Sequence, residues 1–156
     1  MKYYTGIGSR ETPDRILDVM TATAIQMAGF GFTLRSGHAD GADKAFESGA
    51  ALKEIYLPWR GFNGSTSPLL PTPDAFIMAE KFHPAWDRCS QAAKKLHARN
   101  CHQVLGHDLN TPSEFVICWT KGALGGGGTG QAIRIAKAHG IMVHDLADPD
   151  TLRRFK

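Results

Sequence analysis

The stretch "EFVICWTKGALGGGGTGQAIRIAKAHGIMVHDL", Glu114–Leu146, decides the fold. It opens on an almost continuous apolar run, Glu114–Trp119, as a strand covered on both faces requires. Four consecutive glycines, Gly125–Gly128, run into Thr129, Gly130 and Gln131. Apolar residues then recur at helical spacing as far as Gly140, which can end the helix. A second short apolar run, Ile141–Leu146, follows at once. Strand, glycine corner, helix and strand in that order make a βαβ unit, and such units build parallel sheets.

The same alternation extends toward the N-terminus. Tyr3–Ser9 reads as a strand ending in glycines. From Pro13 the residues Ile16, Val19, Met20, Thr23, Ala24 and Met27 keep helical spacing up to Gly29. Phe32–Gly37 is a second strand, "GADKAFESGAALK" (residues 41–53) a small-residue helix, and Glu54–Trp59 a third strand. Residues 60–73 are rich in Pro, Gly and hydroxyl side chains, so residues 61–83 read as a loop insertion. Pro84–Gly106 reads as one long helix, and the last residues as a terminal helical turn. The spacing predicts an α/β fold: a Rossmann-like three-layer sandwich on a mainly parallel five-stranded sheet. One domain, residues 1–156, accounts for the chain.

Composition narrows the class further. Apolar residues make up 42% and charged residues 21% of the 156, as in ordinary globular domains. The net charge of +3 is too small for a polybasic nucleic-acid coat. It is uneven: residues 1–78 carry 7 Lys+Arg against 8 Asp+Glu, and the remainder 11 against 7. A mildly basic C-terminal half suits an anionic ligand. Three cysteines, Cys89, Cys101 and Cys118, show no paired spacing and are expected to be reduced thiols of a cytoplasmic protein. No run is long enough to span a membrane, and the N-terminus lacks the apolar core of a signal peptide.

In open parallel sheets a ligand sits outside the carboxyl ends of the strands. The loops there carry the candidate site. After the first strand come Gly8, Ser9 and Arg10, with Thr12 a candidate N-cap before Pro13. Arg10 can fork onto a phosphate. After the second strand Ser36, Gly37, His38, Asp40, Gly41 and Asp43 crowd one turn. Asp40 or Asp43 can cap the next helix or accept from a sugar hydroxyl. His38 reads as a turn residue. After the third, Trp59 and Phe62 either stack on a base or close the edge of the core, and Arg60 can meet a phosphate. After the fourth, Gly126, Gly127, Gly128, Thr129 and Gly130 either form a flexible connector or present bare amides to an anion at a helix N-terminus. No Lys-Ser or Lys-Thr follows these glycines, so this is not a Walker A loop.

His97 and Cys101, four apart, with Cys89, His102 and His107 nearby, lack the tight paired knuckles of zinc sites. No metal, cofactor or catalytic residue is assigned. Lys94, Lys95 and Arg99 give the long helix a basic face, from which Arg99 and Asn100 could reach the cleft. Trp86, Ala93, Leu96 and Val104 are the apolar positions from which that helix could make a homodimer.

Taken together, "TGIGSRETP", "LRSGHADGADKAFESGA", "EIYLPWRGF" and "GGGGTGQAIRIAKAHGIMV" resemble the SLOG superfamily, and most of all its small stand-alone DprA-like proteins of bacteria and phages. The likeness covers nearly the whole chain except residues 61–83. It implies a nucleotide-binding cleft. DprA-like members imply single-stranded DNA as a ligand and a part in DNA recombination, and relatives of this kind often self-associate. LOG members of the superfamily imply a different activity, cleavage of the N-glycosidic bond of nucleoside monophosphates. Their motif resembles P-G-G-x-G-T-x-x-E, with a catalytic Glu. Here Leu124 replaces the Pro and Ala132 replaces the Glu. A methyl group cannot stabilise charge at an anomeric carbon, so the expectation is a binding protein, with Glu114 and Asp43 the carboxylates left to substitute.

Overall fold

The computed structural model describes all 156 residues. Five strands form the central layer: β1 (Lys2–Gly6), β2 (Phe32–Ser36), β3 (Leu52–Ile55), β4 (Phe115–Cys118) and β5 (Met142–Asp145). They pair in the order β3-β2-β1-β4-β5, and every pairing is parallel. The chain therefore winds outward from β1 through β2 to β3, crosses back, and winds the other way through β4 and β5. The reversal falls between β1 and β4, leaving a crevice where the connections after these two strands part to opposite faces.

Six α-helices cover the sheet: α1 (Asp14–Gly29), α2 (Ala42–Gly49), α3 (Pro73–Phe82), α4 (Gln91–Leu105), α5 (Thr129–Ala138) and α6 (Pro149–Arg153). Met20 and Ala24 of α1, Phe46 of α2 and Leu152 of α6 pack with Tyr4, Leu34 and Ile117 in one core. Ala75 and Ala79 of α3, Cys101 and Val104 of α4, and Ile133 and Ile135 of α5 pack with Val116 in the second. Two cores on one sheet make the three-layer sandwich. No helix is long and apolar enough to cross a membrane.

Four expected boundaries move. The helix expected over 41–53 ends at Gly49, and β3 begins at Leu52 rather than Glu54. A Cβ at Gly49 would lie 2.4 Å from the Thr21 carbonyl oxygen, so α1 and α2 approach backbone to backbone there. Thr33 and Leu34 pair with Leu52 and Lys53, and sheet pairing takes these residues from the helix. The 61–83 insertion is not a plain loop, because it contains α3. Thr72 caps α3, its Oγ1 accepting from the Ala75 N–H, and Pro73 occupies the first helical turn. The long helix expected from Pro84 starts only at Gln91, where Ser90 Oγ accepts from the Ala93 N–H. Ahead of it Trp86–Arg88 make a single 3₁₀ turn. Thr12 does not cap α1: its hydroxyl donates to the Ser9 carbonyl at 2.6 Å.

Val104 of α4 lies in the core, while Ala93 and Leu96 line a cleft. The positions offered for a homodimer do not form one outward apolar face.

Candidate functional site

The crevice at the β1/β4 reversal is an open cleft of about 940 Å³. Its walls come from six segments: Gly8–Glu11 after β1, Ala39 and Asp43 after β2, Trp59 and Phe62 after β3, His83 after α3, the inner face of α4, and Thr120, Lys121 and Gly126–Thr129 after β4. Of the residues expected at a site, Gly8, Ser9, Arg10, Asp43, Trp59, Gly126, Gly127, Gly128 and Thr129 all line it.

Gly8 sits where three segments converge. A Cβ there would lie 2.7 Å from that of Ala42 and 3.2 Å from the Trp119 amide nitrogen. The absence of a side chain lets the β1 loop lie on α2 and β4 together. Arg10 is exposed at the cleft mouth.

The glycine corner adopts a specific shape. Gly125 and Gly127 have φ of 67° and 68°, a region that side chains disfavour. The Gly125 N–H is satisfied by Thr120 Oγ1 at 3.0 Å, and Thr120 in turn donates to the Asp145 carboxylate. The next four amides, Gly126 to Thr129, donate no hydrogen bond within the chain. They form the approach to the N-terminus of α5, whose dipole adds partial positive charge. Asn100 of α4 donates to the Gly128 carbonyl at 3.0 Å and ties the corner to the opposite wall.

The floor is ionic. Arg99 is buried, and its Nη1 donates to the carbonyls of Gly37 at 2.8 Å and Tyr56 at 3.2 Å. Its Nε donates to Asn100 Oδ1 at 3.0 Å. A Cβ on Gly37 would fall 2.4 Å from that guanidinium, which explains a glycine at this position better than ligand contact does. Asp43 is buried beside it. The amides of Ala39, Gly8 and Gly37 point at its carboxylate, and Arg99 lies nearby. Burial outweighs them all and pushes the carboxyl up to about 6. Burial also lowers the Arg99 guanidinium, which stays charged. Trp59 and Phe62 meet edge to face, ring centroids 5.3 Å apart, at the rim opposite the glycines.

Six expected residues stand elsewhere. Ser36 is inside the sheet and donates to the Gly6 carbonyl. Gly37 backs onto Arg99 as described. Asp40 is exposed and pairs with Lys44 at 2.9 Å. Gly41, at φ 86°, turns the chain against the Arg10 backbone. Arg60 is exposed outside the cleft, and Gly130 is buried in α5 against the Gly125 carbonyl. Gln131 also points away, donating to the Ala79 carbonyl at 2.9 Å. His38 pairs with Glu47 at 2.8 Å. Glu114 precedes β4 at the opposite edge of the sheet, where its N–H bonds the Tyr3 carbonyl.

Sequence reading missed Gln103, Lys121, His83 and the placing of His97 on the cleft wall. The basic face of α4 pointed to Arg99 and Asn100. Nothing in the spacing of His83 and His97 marks them as neighbours, because the 3₁₀ turn that folds one against the other carries no periodic signal.

The fold and its crevice define a doubly wound α/β protein whose main cleft lies at the sheet's switch point. Comparison with protein-family models, with curated proteins and with solved structures finds no match.

Proposed function

We propose that the cleft binds a nucleotide or a nucleotide-derived phosphate, in the manner that the SLOG resemblance implies. The observation that carries this reading is the run of four amides without an intrachain acceptor, Gly126 to Thr129, lining one cleft with Arg10 and Arg99. Amides at a helix N-terminus and guanidinium groups are both recurrent partners of phosphate. Arg99 Nη2 makes no hydrogen bond within the chain, and Arg99 lines the cleft. The Trp59–Phe62 pair offers an aromatic edge for a base, and the buried Asp43 an acceptor for a sugar hydroxyl. Single-stranded DNA, with a role in DNA recombination, is the macromolecular form of the same ligand chemistry.

Titration of the purified chain with a panel of nucleoside mono-, di- and triphosphates and a short oligonucleotide, at low salt, tests the reading. Saturable binding that Arg10→Ala weakens roughly tenfold or more supports it. No binding to any of them removes it.

One observation favours a second reading, an N-glycosidase. Asp43, held near 6, is a carboxyl with an ionisation suited to acid–base work close to neutral pH, and it faces the cleft. Incubation with nucleoside 5′-monophosphates should then release free base, and Asp43→Asn should stop the release with nucleotide binding retained. Absence of free base from every monophosphate retires this reading alone.

A further inference from the structure

The end of the cleft nearest α3 holds a second cluster. Three side chains from three separate segments meet there. His83 follows α3, Cys89 stands just before the cap of α4, and His97 lies two turns into α4. One donor atom from each can be chosen so that all lie within 4.8 Å of one another. Cys89 Sγ is 3.9 Å from Nδ1 and 3.8 Å from Nε2 of His83. The two imidazole centroids are 4.4 Å apart. A tetrahedral zinc ion, with Zn–N near 2.0–2.1 Å and Zn–S near 2.3 Å, sets its donors about 3.3–3.6 Å apart. The three groups need close by only about an ångström to meet that geometry.

We propose that His83, Cys89 and His97 form a binding site for a thiophilic divalent metal, Zn²⁺ first among them. Two imidazoles and a thiolate are a ligand set that selects zinc over magnesium or calcium. A second observation points the same way. His97 Nδ1 is buried and has no hydrogen-bond partner, a state that native interiors rarely leave unexplained. Ala85 occupies the cluster through local contacts: its N–H donates to His83 Nδ1 at 3.0 Å, and its carbonyl accepts from Cys89 Sγ at 3.6 Å. Metal binding exchanges these two contacts for two metal–ligand bonds and releases the Cys89 proton to solvent.

Three protein ligands leave the fourth tetrahedral position open, as in catalytic rather than structural zinc sites. His83 and His97 line the same cleft as the glycine corner, so that position faces the cleft. A metal ion with one thiolate carries one net positive charge there, and Arg134, bonded to the Phe82 carbonyl, lies beside it. A water or an oxyanion completes the shell, and the local charge favours the oxyanion. The metal site does not depend on the nucleotide reading, because its ligands all come from this chain.

Titration of the chelator-stripped full chain with Co²⁺ tests the proposal without any nucleotide. The expected result is one equivalent bound, with the near-ultraviolet thiolate-to-cobalt band and the visible bands of tetrahedral cobalt, both displaced by Zn²⁺. Cys89→Ser should remove the charge-transfer band. His83→Ala and His97→Ala should each weaken binding roughly tenfold or more, and His107→Ala, outside the cluster, should leave it unchanged. Cys89→Ser exchanges one atom and His83 is half-buried, so circular dichroism should find both variants folded. No band at one equivalent, or a band that persists in Cys89→Ser, overturns the site.

Discussion

At Asp43 several effects act on one carboxylate. Three amides and a guanidinium favour its charge, and burial opposes it. Burial wins, so the folded protein holds this proton more tightly than the unfolded chain does. Between about pH 4, the unfolded value, and about pH 6, the folded protein binds more protons at this position. The stability contributed by Asp43 is therefore present at acid pH and lost as pH rises through that window, the reverse of an ion-paired carboxylate. A shift of about two units corresponds to about 3 kcal/mol. Burial lowers the His97 imidazole, so it titrates in the opposite sense, but it is common to wild type and Asp43→Asn and cancels in their difference. Urea unfolding of the two proteins should show the wild type losing about 2–3 kcal/mol relative to Asp43→Asn between pH 4 and pH 7. A difference that stays flat with pH contradicts the buried ionisation.

The glycine corner gives a paired test at the same scale. Gly127 has φ 68°, whereas Gly126 lies outside the positive-φ region, with nothing within 4 Å of a built Cβ. Gly127→Ala should cost about 1 kcal/mol or slightly more in thermal unfolding. Gly126→Ala should leave stability nearly unchanged while placing a methyl group on the cleft wall, so its loss should appear in ligand affinity alone.

Among the elements, α4 connects the most parts of the cleft. It carries Arg99, Asn100 and Gln103 to the floor, ties the glycine corner through Gly128, and brings His97 to the far end. Its start is set by Ser90, whose hydroxyl satisfies one of the four amides that a helix leaves unpaired. Ser90→Ala should lower stability by about 1 kcal/mol, with a cooperative transition retained. Chemical denaturation measures it, and a change below a few tenths of a kcal/mol would mean that the first turn is held by something else. The Thr72–Pro73 pair opening α3 was present in the sequence with a cap and a first-turn proline, yet the prolines around it read as loop. The boundary between α2 and β3 was not legible, because Ala50, Ala51 and Leu52 suit a helix. Pairing with Thr33 across the sheet decides the matter, and no local signal carries that pairing.

For the whole molecule, the switch point brings loops distant in sequence to one rim, and the charge there is concentrated rather than large. Arg10, Arg99 and Lys121 face the cleft against Glu11 and Asp43, within a chain of net charge +3. A site of that size engages few phosphates. Affinity for a mononucleotide should change little with salt. Binding of a single strand across the cleft should fall by about 0.7 log units per log unit of salt for each phosphate neutralised. Isothermal titration at several salt concentrations separates the two, and a steep slope for the mononucleotide would place its binding outside this cleft.

Periodicity by itself determined the architecture: five apolar runs separated by helical repeats and glycine corners leave a parallel sheet with two covered faces as the consistent packing. It also pointed to the β1 and β4 loops as cleft walls, and residues of both loops line the cleft at the switch point. Which neighbours in the crowded β2 turn face the cleft was decided only by tertiary structure, which turned Asp43 inward, Ser36 into the sheet and Asp40 to solvent. The convergence of His83, Cys89 and His97 was decided the same way. Local sequence encodes backbone preference over a few residues, whereas the direction of a side chain in an irregular turn is set by what the rest of the chain packs against it.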